Sequence, residues 1–448
     1  MMEIFISMVI FNRGEKAMDL KVIKEHISKA IDDNRQIIVS IAEEILKNPE
    51  TGFCEEKTSA LVRKVFDEFE IAYEYPYAVT AVKAKLKGRK SNYNICIIGE
   101  LDAVKCNGHK YASSSGAAHA CGHNAQIASM LGAAIGIKKS GIMNELDGDI
   151  TFFAVPAEEF IEIELRNKLK EEGKISYYGG KQQLIFEGAF DDVDMAMMIH
   201  AQPNEPEAKV YTRGNNLGFI AKTITFKGKA AHGSKPHEGT NALNAAALAI
   251  LGIHSNRETF TEADKIRIHP IITKGGDVVN SVPDEVCIDT YVRGATFEAI
   301  KKGDDAVERS VFGAASMIGA KVEIENMPGY LPLIEDPTLS DVFESNAKDV
   351  LGSENIVNGM EITGSTDIGD LSQIMPVIQP SMGGFTGNLH GTDFSVSNDD
   401  YAYILPAKIM ATTAADLLFA DGEKARQVLQ NFTPIMNKKQ YISYLKGE

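Results

Sequence analysis

The sequence predicts an α/β protein, a mostly parallel sheet wrapped by helices and interrupted by a smaller α+β unit. Three observations carry this. Short apolar runs alternate with helical patterns over residues 19–200, as in a parallel sheet covered on both faces. Residues 218–325 instead read β-α-β-β-α-β, a ferredoxin-like order. After Pro328 the α/β texture resumes. A chain of 448 residues exceeds what one core organises. The expected division is residues 1–205 and 328–448 in one domain, with 206–327 inserted between them.

Taken in order, Leu20, Ile23, Ile27, Ile31, Ile38, Ile41 and Ile45 recur near helical spacing and predict a helix over 19–48, which Asn48-Pro49 ends. A second helical pattern covers 57–70. Strands are expected at 72–86 and 93–98, the latter apolar enough for a central position. A helix follows His123, with Ile127, Leu131, Ala134 and Ile135 on its apolar side. Residues 150–155 read as another buried strand, 162–190 as charged helix, and 193–199 as a short strand ending at His200. Pro203 and Pro206 mark a loop into the inserted unit. There, strands are expected at 218–227, 265–273, 285–292 and 321–325, and helices at 240–254 and 297–318. Helices at 337–350 and 406–420 flank a glycine-rich stretch at 383–391.

The formal charge of −16 repels nucleic acid and anionic membranes, and no basic cluster offsets it. Five scattered cysteines argue against a disulfide framework and point to a reducing, cytoplasmic setting. The first twelve residues lack the basic region and cleavage site of a signal peptide and are too short to span a bilayer. Helical patterning starts only after Met18. Residues 1–17 are therefore expected to be an upstream extension.

The chemistry centres on Ala118-His119-Ala120-Cys121-Gly122-His123-Asn124. Residues two apart do not share a helix face, so Cys121 and His123 converge only where the chain is still turning into the helix, and Gly122 supplies that turn. Thiolate and imidazole suit zinc or a similar first-row metal. The strand at 150–155 runs into Pro156-Ala157-Glu158-Glu159, and sites in open α/β sheets form at carboxyl ends of strands. Of two adjacent carboxylates, one can ligate a metal while the other handles a water proton. His200 ends another apolar strand, and His390 lies in Gly387-Asn388-Leu389-His390-Gly391. Each residue alone also reads as a cap, a turn or a surface group. Together, Cys121, His123, Glu159, His200 and His390 exceed the four ligands of one tetrahedral zinc, which points to two metals. Asp102 follows the strand at 93–98 and can orient a ligand.

The chain resembles the M20 family of metallopeptidases and amidohydrolases, in its amidohydrolase branch. The matching pieces are NPETGFCEEKTS near 48–59, GELDAV at 99–104, HACGHN at 119–124, PAEE at 156–159, KAAHGSKPHEG at 229–239, NSVPDEV at 280–286 with Arg293, and GNLHGTDF at 387–394. GSTDIGD at 364–370 with GHN looks most like the aminobenzoyl-glutamate hydrolase group. Many branch members read HACGHD followed by a His two residues beyond the Asp, whereas this chain has Asn124 and Gln126 there. Glu100 sits where other M20 branches place a metal-binding His, and the amidohydrolase branch uses the Cys instead.

The resemblance implies a metallopeptidase-like catalytic domain with an inserted lid that also dimerises. It implies that Cys121, His123, Glu159, His200 and His390 hold two divalent ions, with Glu158 as general base. Zinc and manganese lead as the metal, with cobalt and nickel open. The expected substrate is an N-acyl or N-aroyl amino acid, or a dipeptide, with a free carboxylate. Arg293 suits that carboxylate through its planar fork, and Asn280 can donate nearby. His232, in the insertion, is expected to stabilise the oxyanion from the lid of a partner subunit in a C₂ homodimer. A non-hydrolytic binding protein would have no use for Glu158. A zinc nucleobase deaminase needs His-x-Glu followed by Pro-Cys-x-x-Cys, and the sequence lacks that pair.

Overall fold

The computed structural model describes residues 18–359 and 363–447. The expected extension at 1–17 lies outside them. The central sheet has six strands in the order Tyr73–Tyr77, Ala81–Leu86, Asp149–Val155, Asn94–Glu100, Met195–Met197, Val377–Ile378. The last four run parallel, and the first two form an antiparallel hairpin at the edge. Alternation sorts each central strand onto two covered faces. Ile95, Ile97, Ile150 and Phe152 join one hydrophobic cluster, with helices Leu20–Asp33, Arg35–Leu46, His123–Ser140 and Leu405–Leu418. Cys96, Ile98, Phe153 and Val155 join another, with helix Gly180–Glu187 and the C-terminal helix Lys438–Lys446. Burial on both sides explains why these strands read as unbroken apolar runs.

Several expected elements are divided. The helix over 19–48 is two helices broken at Asn34, whose side-chain amide closes the first by donating to the Ala30 carbonyl at 2.8 Å. The segment 162–190 holds two helices, Ile163–Glu171 and Gly180–Glu187. The span 72–86 is the hairpin already described. The strand at 265–273 is split into Arg267–Ile268 and Ile271–Lys274 around Pro270. A small sheet of Ile356–Asn358, Val210–Thr212, Ser381–Met382 and His200–Ala201 was not expected. Its role is to carry His200.

Residues 218–328 build an antiparallel sheet in which Arg267–Ile268, Glu285–Gly294, Gly218–Lys227 and Lys321–Pro328 lie side by side. Helices Ala242–Ser255 and Phe297–Ile318 cover one face. Ile224, Phe226, Ile288, Val292, Val307 and Val311 form a separate core there. Among the described residues no single helix is long and apolar enough to cross a membrane.

Candidate metal centre and active site

Helix His123–Ser140 starts immediately after Gly122, which adopts φ 83°. A Cβ at Gly122 would stand 2.6 Å from the Ala201 Cβ, so a side chain is excluded by both conformation and space. The turn points Cys121 and His123 toward the carboxyl ends of the parallel strands. His123 Nδ1 lies 2.8 Å from the Asp102 carbonyl oxygen, and His200 Nδ1 lies 2.9 Å from that of Ala201. A carbonyl only accepts, so both Nδ1 atoms carry a proton and Nε2 is the atom each ring offers the site.

Three groups of donor atoms form there, one of them Glu100, His123 and Glu158 and the other two built around Cys121. Those of Cys121, His123 and His200 lie within 4.8 Å of one another, and so do those of Cys121, Glu159 and His390. The structure thus brings all five sequence-selected ligands together, with the Cys121 sulfur common to both groups. Cys121 Sγ is 3.5 Å from His200 Nε2, and His390 Nε2 is 3.1 Å from Glu159 Oε1. His123 Nε2 and Glu159 Oε1 are buried and aligned for a hydrogen bond with no group among the described residues. A soft thiolate, three imidazoles and a carboxylate with such free lone pairs fit a pair of divalent cations.

The electrostatics agree. Burial opposes ionisation of the Cys121 thiol, yet the His123 and His200 imidazoles hold it well below its usual range. Burial, together with the neighbouring Glu100, Glu159 and Asp367 carboxylates, pushes Glu158 well above the carboxylate range. Burial and the Cys121 thiolate push Glu159 up to about 7. Such crowding of buried negative groups is relieved by added positive charge.

The Glu158–Glu159 turn is pinned from four directions. Glu55 Oε1 accepts from the Ala157 amide at 2.9 Å, and Asp102 Oδ2 accepts from the Glu159 amide at 3.0 Å. The Tyr330 hydroxyl donates to the Glu158 carbonyl at 2.5 Å. Buried Arg166 donates to the carbonyls of Glu159 and Tyr178. Asp102 therefore orients both His123 and the carboxylate turn. Behind the site, buried Lys181 joins Glu100, at 2.6 Å, to Asp367. Glu100 Oε2 in turn lies 3.1 Å from His123 Nε2. Sequence reasoning missed Arg166, Lys181, Tyr330 and Asp367 as site residues. The local signals were the Gly179-Gly180 pair, where a Cβ at Gly180 would fall 1.6 Å from the Pro156 carbonyl oxygen, and the GSTDIGD motif at 364–370 that holds Asp367.

A cavity of about 680 Å³ opens above the donor groups. Phe160, Phe219, Tyr291 and Tyr330 supply apolar wall, and Arg293 enters from the inserted unit. The Arg293 guanidinium stacks 5.2 Å from the Phe219 ring centre and donates to Ser365 Oγ at 2.7 Å. It forms no ion pair among the described residues, and burial lowers its pKa. His232 and Asn280 do not line this cavity. Both are exposed on neighbouring loops of the insertion, where the Gly233 amide donates to the Asn280 carbonyl at 2.7 Å.

A model of peptidase family M20/M25/M40 matches residues 96–414. IAA-amino acid hydrolase ILR1-like 4 of Arabidopsis thaliana is 26% identical over 355 residues, covering 76% of this chain and 75% of the plant protein. The fold is shared with Bacillus subtilis YXEP, described as a dinuclear metal binding peptidase from the M20 family. That pair gives a TM-score of 0.67 at 22% identity, over 86% of this chain and 99% of the other. It is also shared with an aminobenzoyl-glutamate utilization protein from Klebsiella pneumoniae, with a TM-score of 0.64 at 19% identity over 87% and 98% of the two chains. The family match runs from the central strand that carries Glu100 to the helix beyond His390, and so takes in every residue of the three donor groups. The chain belongs to peptidase family M20/M25/M40 and is a metal-dependent hydrolase of amide bonds.

Proposed function

We propose that this hydrolase cleaves the amide bond of an N-acyl or N-aroyl amino acid, or of a dipeptide, whose free carboxylate is read by Arg293. The observation that carries the proposal is the pairing of two donor groups around Cys121 with an unpaired guanidinium across the same cavity. Cys121, His123 and His200 would hold one ion, and Cys121, Glu159 and His390 the other. Two such ions, zinc or manganese foremost, supply Lewis acidity and lower the pKa of water.

Glu158 Oε2 stands 4.0 Å from His123 Nε2, at the edge of the first group. Its carboxylate takes a proton from the attacking water and passes it to the leaving amine. Burial and nearby carboxylates raise its proton affinity, which suits the second half of that task. Tyr330, Asp102 and Arg166 hold the turn while Glu158 works. The aromatic wall excludes water and accommodates an aroyl or other apolar acyl group. His232 would act from a partner lid in a C₂ dimer. Exposed Ile271, Ile272 and Val279 on the insertion support a second copy docking there. Five unpaired cysteines support a cytoplasmic setting.

The test is a panel of N-acyl and N-aroyl amino acids, assayed before chelation, after it, and after metal is restored. Hydrolysis should disappear and return with the metal. It should also be lost when the substrate carboxylate is converted to a primary amide. Equal turnover of acids and amides would overturn the role given to Arg293.

A further inference from the structure

Of the five proposed ligands, His390 alone is exposed, at 49% of its side chain. Its backbone takes φ 61°, a left-handed conformation uncommon outside glycine. Such a conformation persists only where neighbouring structure over-determines it. Within the turn, the Gly391 amide donates to the Asn388 carbonyl at 2.9 Å and the Phe394 amide to the Gly391 carbonyl at 3.2 Å. These bonds shape the turn but do not tie it to the rest of the site.

Three contacts from one other segment do. The His390 amide donates to the Ala120 carbonyl at 2.8 Å. The buried Cys106 thiol donates to the His390 carbonyl at 3.3 Å. The buried His109 ring lies with Nε2 2.9 Å from the Phe394 carbonyl oxygen. The segment that supplies them is a short hairpin, in which Val104–Lys105 pairs with Ala117–Ala118. Its loop closes on itself, the Cys106 amide donating to the Gly116 carbonyl at 2.8 Å and the Ala112 amide to the His109 carbonyl at 2.9 Å. One end of the hairpin follows Asp102, and the other runs into Cys121. The hairpin thus links the first donor group to the His390 turn.

His109 is fixed in one tautomer. The Tyr111 amide donates to Nδ1 at 3.3 Å, so Nδ1 carries the lone pair and Nε2 the proton given to Phe394. That is the reverse of His123 and His200, whose Nδ1 atoms face carbonyls. Both nitrogens of His109 are committed to backbone partners, so the ring offers a metal no lone pair. Its work is on the turn.

We infer that His109, with Cys106 beside it, is a positioning residue that sets His390 for the ion shared with Cys121 and Glu159. The ion held by Cys121, His123 and His200 does not depend on it, because those two histidines have their own anchors at the Asp102 and Ala201 carbonyls. This rests on the two-ion reading proposed above.

Calorimetric titration of the metal-free full chain with zinc, against a competing chelator, tests this in wild type, His109→Leu and His109→Gln. His109→Leu should weaken only one of the two ions, by about 10- to 100-fold, the usual cost of losing a group that orients a ligand, while His109→Gln, whose amide also donates, should stay within about threefold of wild type. Cys106→Ala, a smaller change of volume, should weaken the same ion. The double variant His109→Leu/His390→Ala should bind no more weakly than His390→Ala, since both changes act through one imidazole. Two ions bound as in wild type, equal weakening of both in His109→Leu, a Gln variant as weak as the Leu variant, or additive losses in the double variant overturn the inference. Should wild type bind fewer than two ions, the two-ion reading fails, and hydrogen exchange of the metal-free chain decides the positioning. Amides of the 387–394 turn should then exchange about 5- to 10-fold faster in His109→Leu, the worth of one hydrogen bond, and return toward wild-type rates in His109→Gln. Unchanged exchange in His109→Leu overturns the inference.

Discussion

Lys181→Met should be among the most destabilising single substitutions in this fold. The Lys181 ammonium is fully buried between Glu100 and Asp367, whose side chains are also fully buried. Removing the cation leaves two carboxylates without a charged partner in a low-dielectric interior. Breaking a buried pair from one side costs about 3–5 kcal/mol. At about 2 °C per kcal/mol for a large domain, the melting temperature should fall by about 6–10 °C. The pH dependence has a definite sign. Asp367 is pushed up to about 6 by burial even with Lys181 pulling it down. Without the lysine its folded-state proton affinity rises further. A group with a raised folded-state pKa contributes stability at low pH and loses it as pH rises through that pKa. The deficit of the variant should therefore widen from pH 5 to pH 8. Wild-type Lys181 stays charged throughout, because its carboxylate neighbours outweigh its burial. Scanning calorimetry of the metal-loaded protein measures this, with Lys181→Met/Glu100→Gln/Asp367→Asn as the control that removes the stranded charges. A shift under 2 °C, a deficit independent of pH, or a control less stable than the single variant would refute the reasoning.

Glu158→Gln keeps shape but removes the proposed base. It should retain metal, by elemental analysis, while turnover falls by about two to four decades. Arg166→Ala releases the Glu159 carbonyl, so turnover should fall about 10- to 100-fold with KM little changed, and added guanidinium should restore part of it. A merely structural arginine would show no such rescue. Glu158→Ala chains and His232→Ala chains should each be nearly inactive alone. Subunit exchange between equal amounts should then restore about a quarter of wild-type activity, since half the dimers are mixed and each has one whole site. Verified heterodimers without recovery would remove His232 from the partner's site.

The sheet was legible because its strands are buried on both faces and carry uninterrupted apolar runs, as in Ile95–Ile98. The break at Asn34 was not, because Ile31 and Ile38 still fall on one apolar stripe across it. C-terminal helices Glu423–Asn431 and Lys438–Lys446 bury only two residues each, Ala425 and Val428 in one and Tyr441 and Leu445 in the other, so their apolar signal is thin. Four of the five proposed ligands, Cys121, His123, Glu159 and His200, were legible by residue type and by their places at strand ends and helix starts, and His390 by its glycine-flanked turn. Lys181, Arg166 and Tyr330 were not, because each acts through a partner that sequence spacing does not reveal. Tyr330 meets Glu158 across 172 positions, and Lys181 meets Asp367 across 186.

One thiolate, that of Cys121, is proposed to serve two metal positions beside Glu158. Metal per chain in Cys121→Ala and His390→Ala, measured by elemental analysis after reconstitution with zinc or manganese, tests it most directly. Wild type should hold two ions, His390→Ala about one, and Cys121→Ala close to none, because its sulfur belongs to both donor groups. Two ions retained in Cys121→Ala would contradict the account.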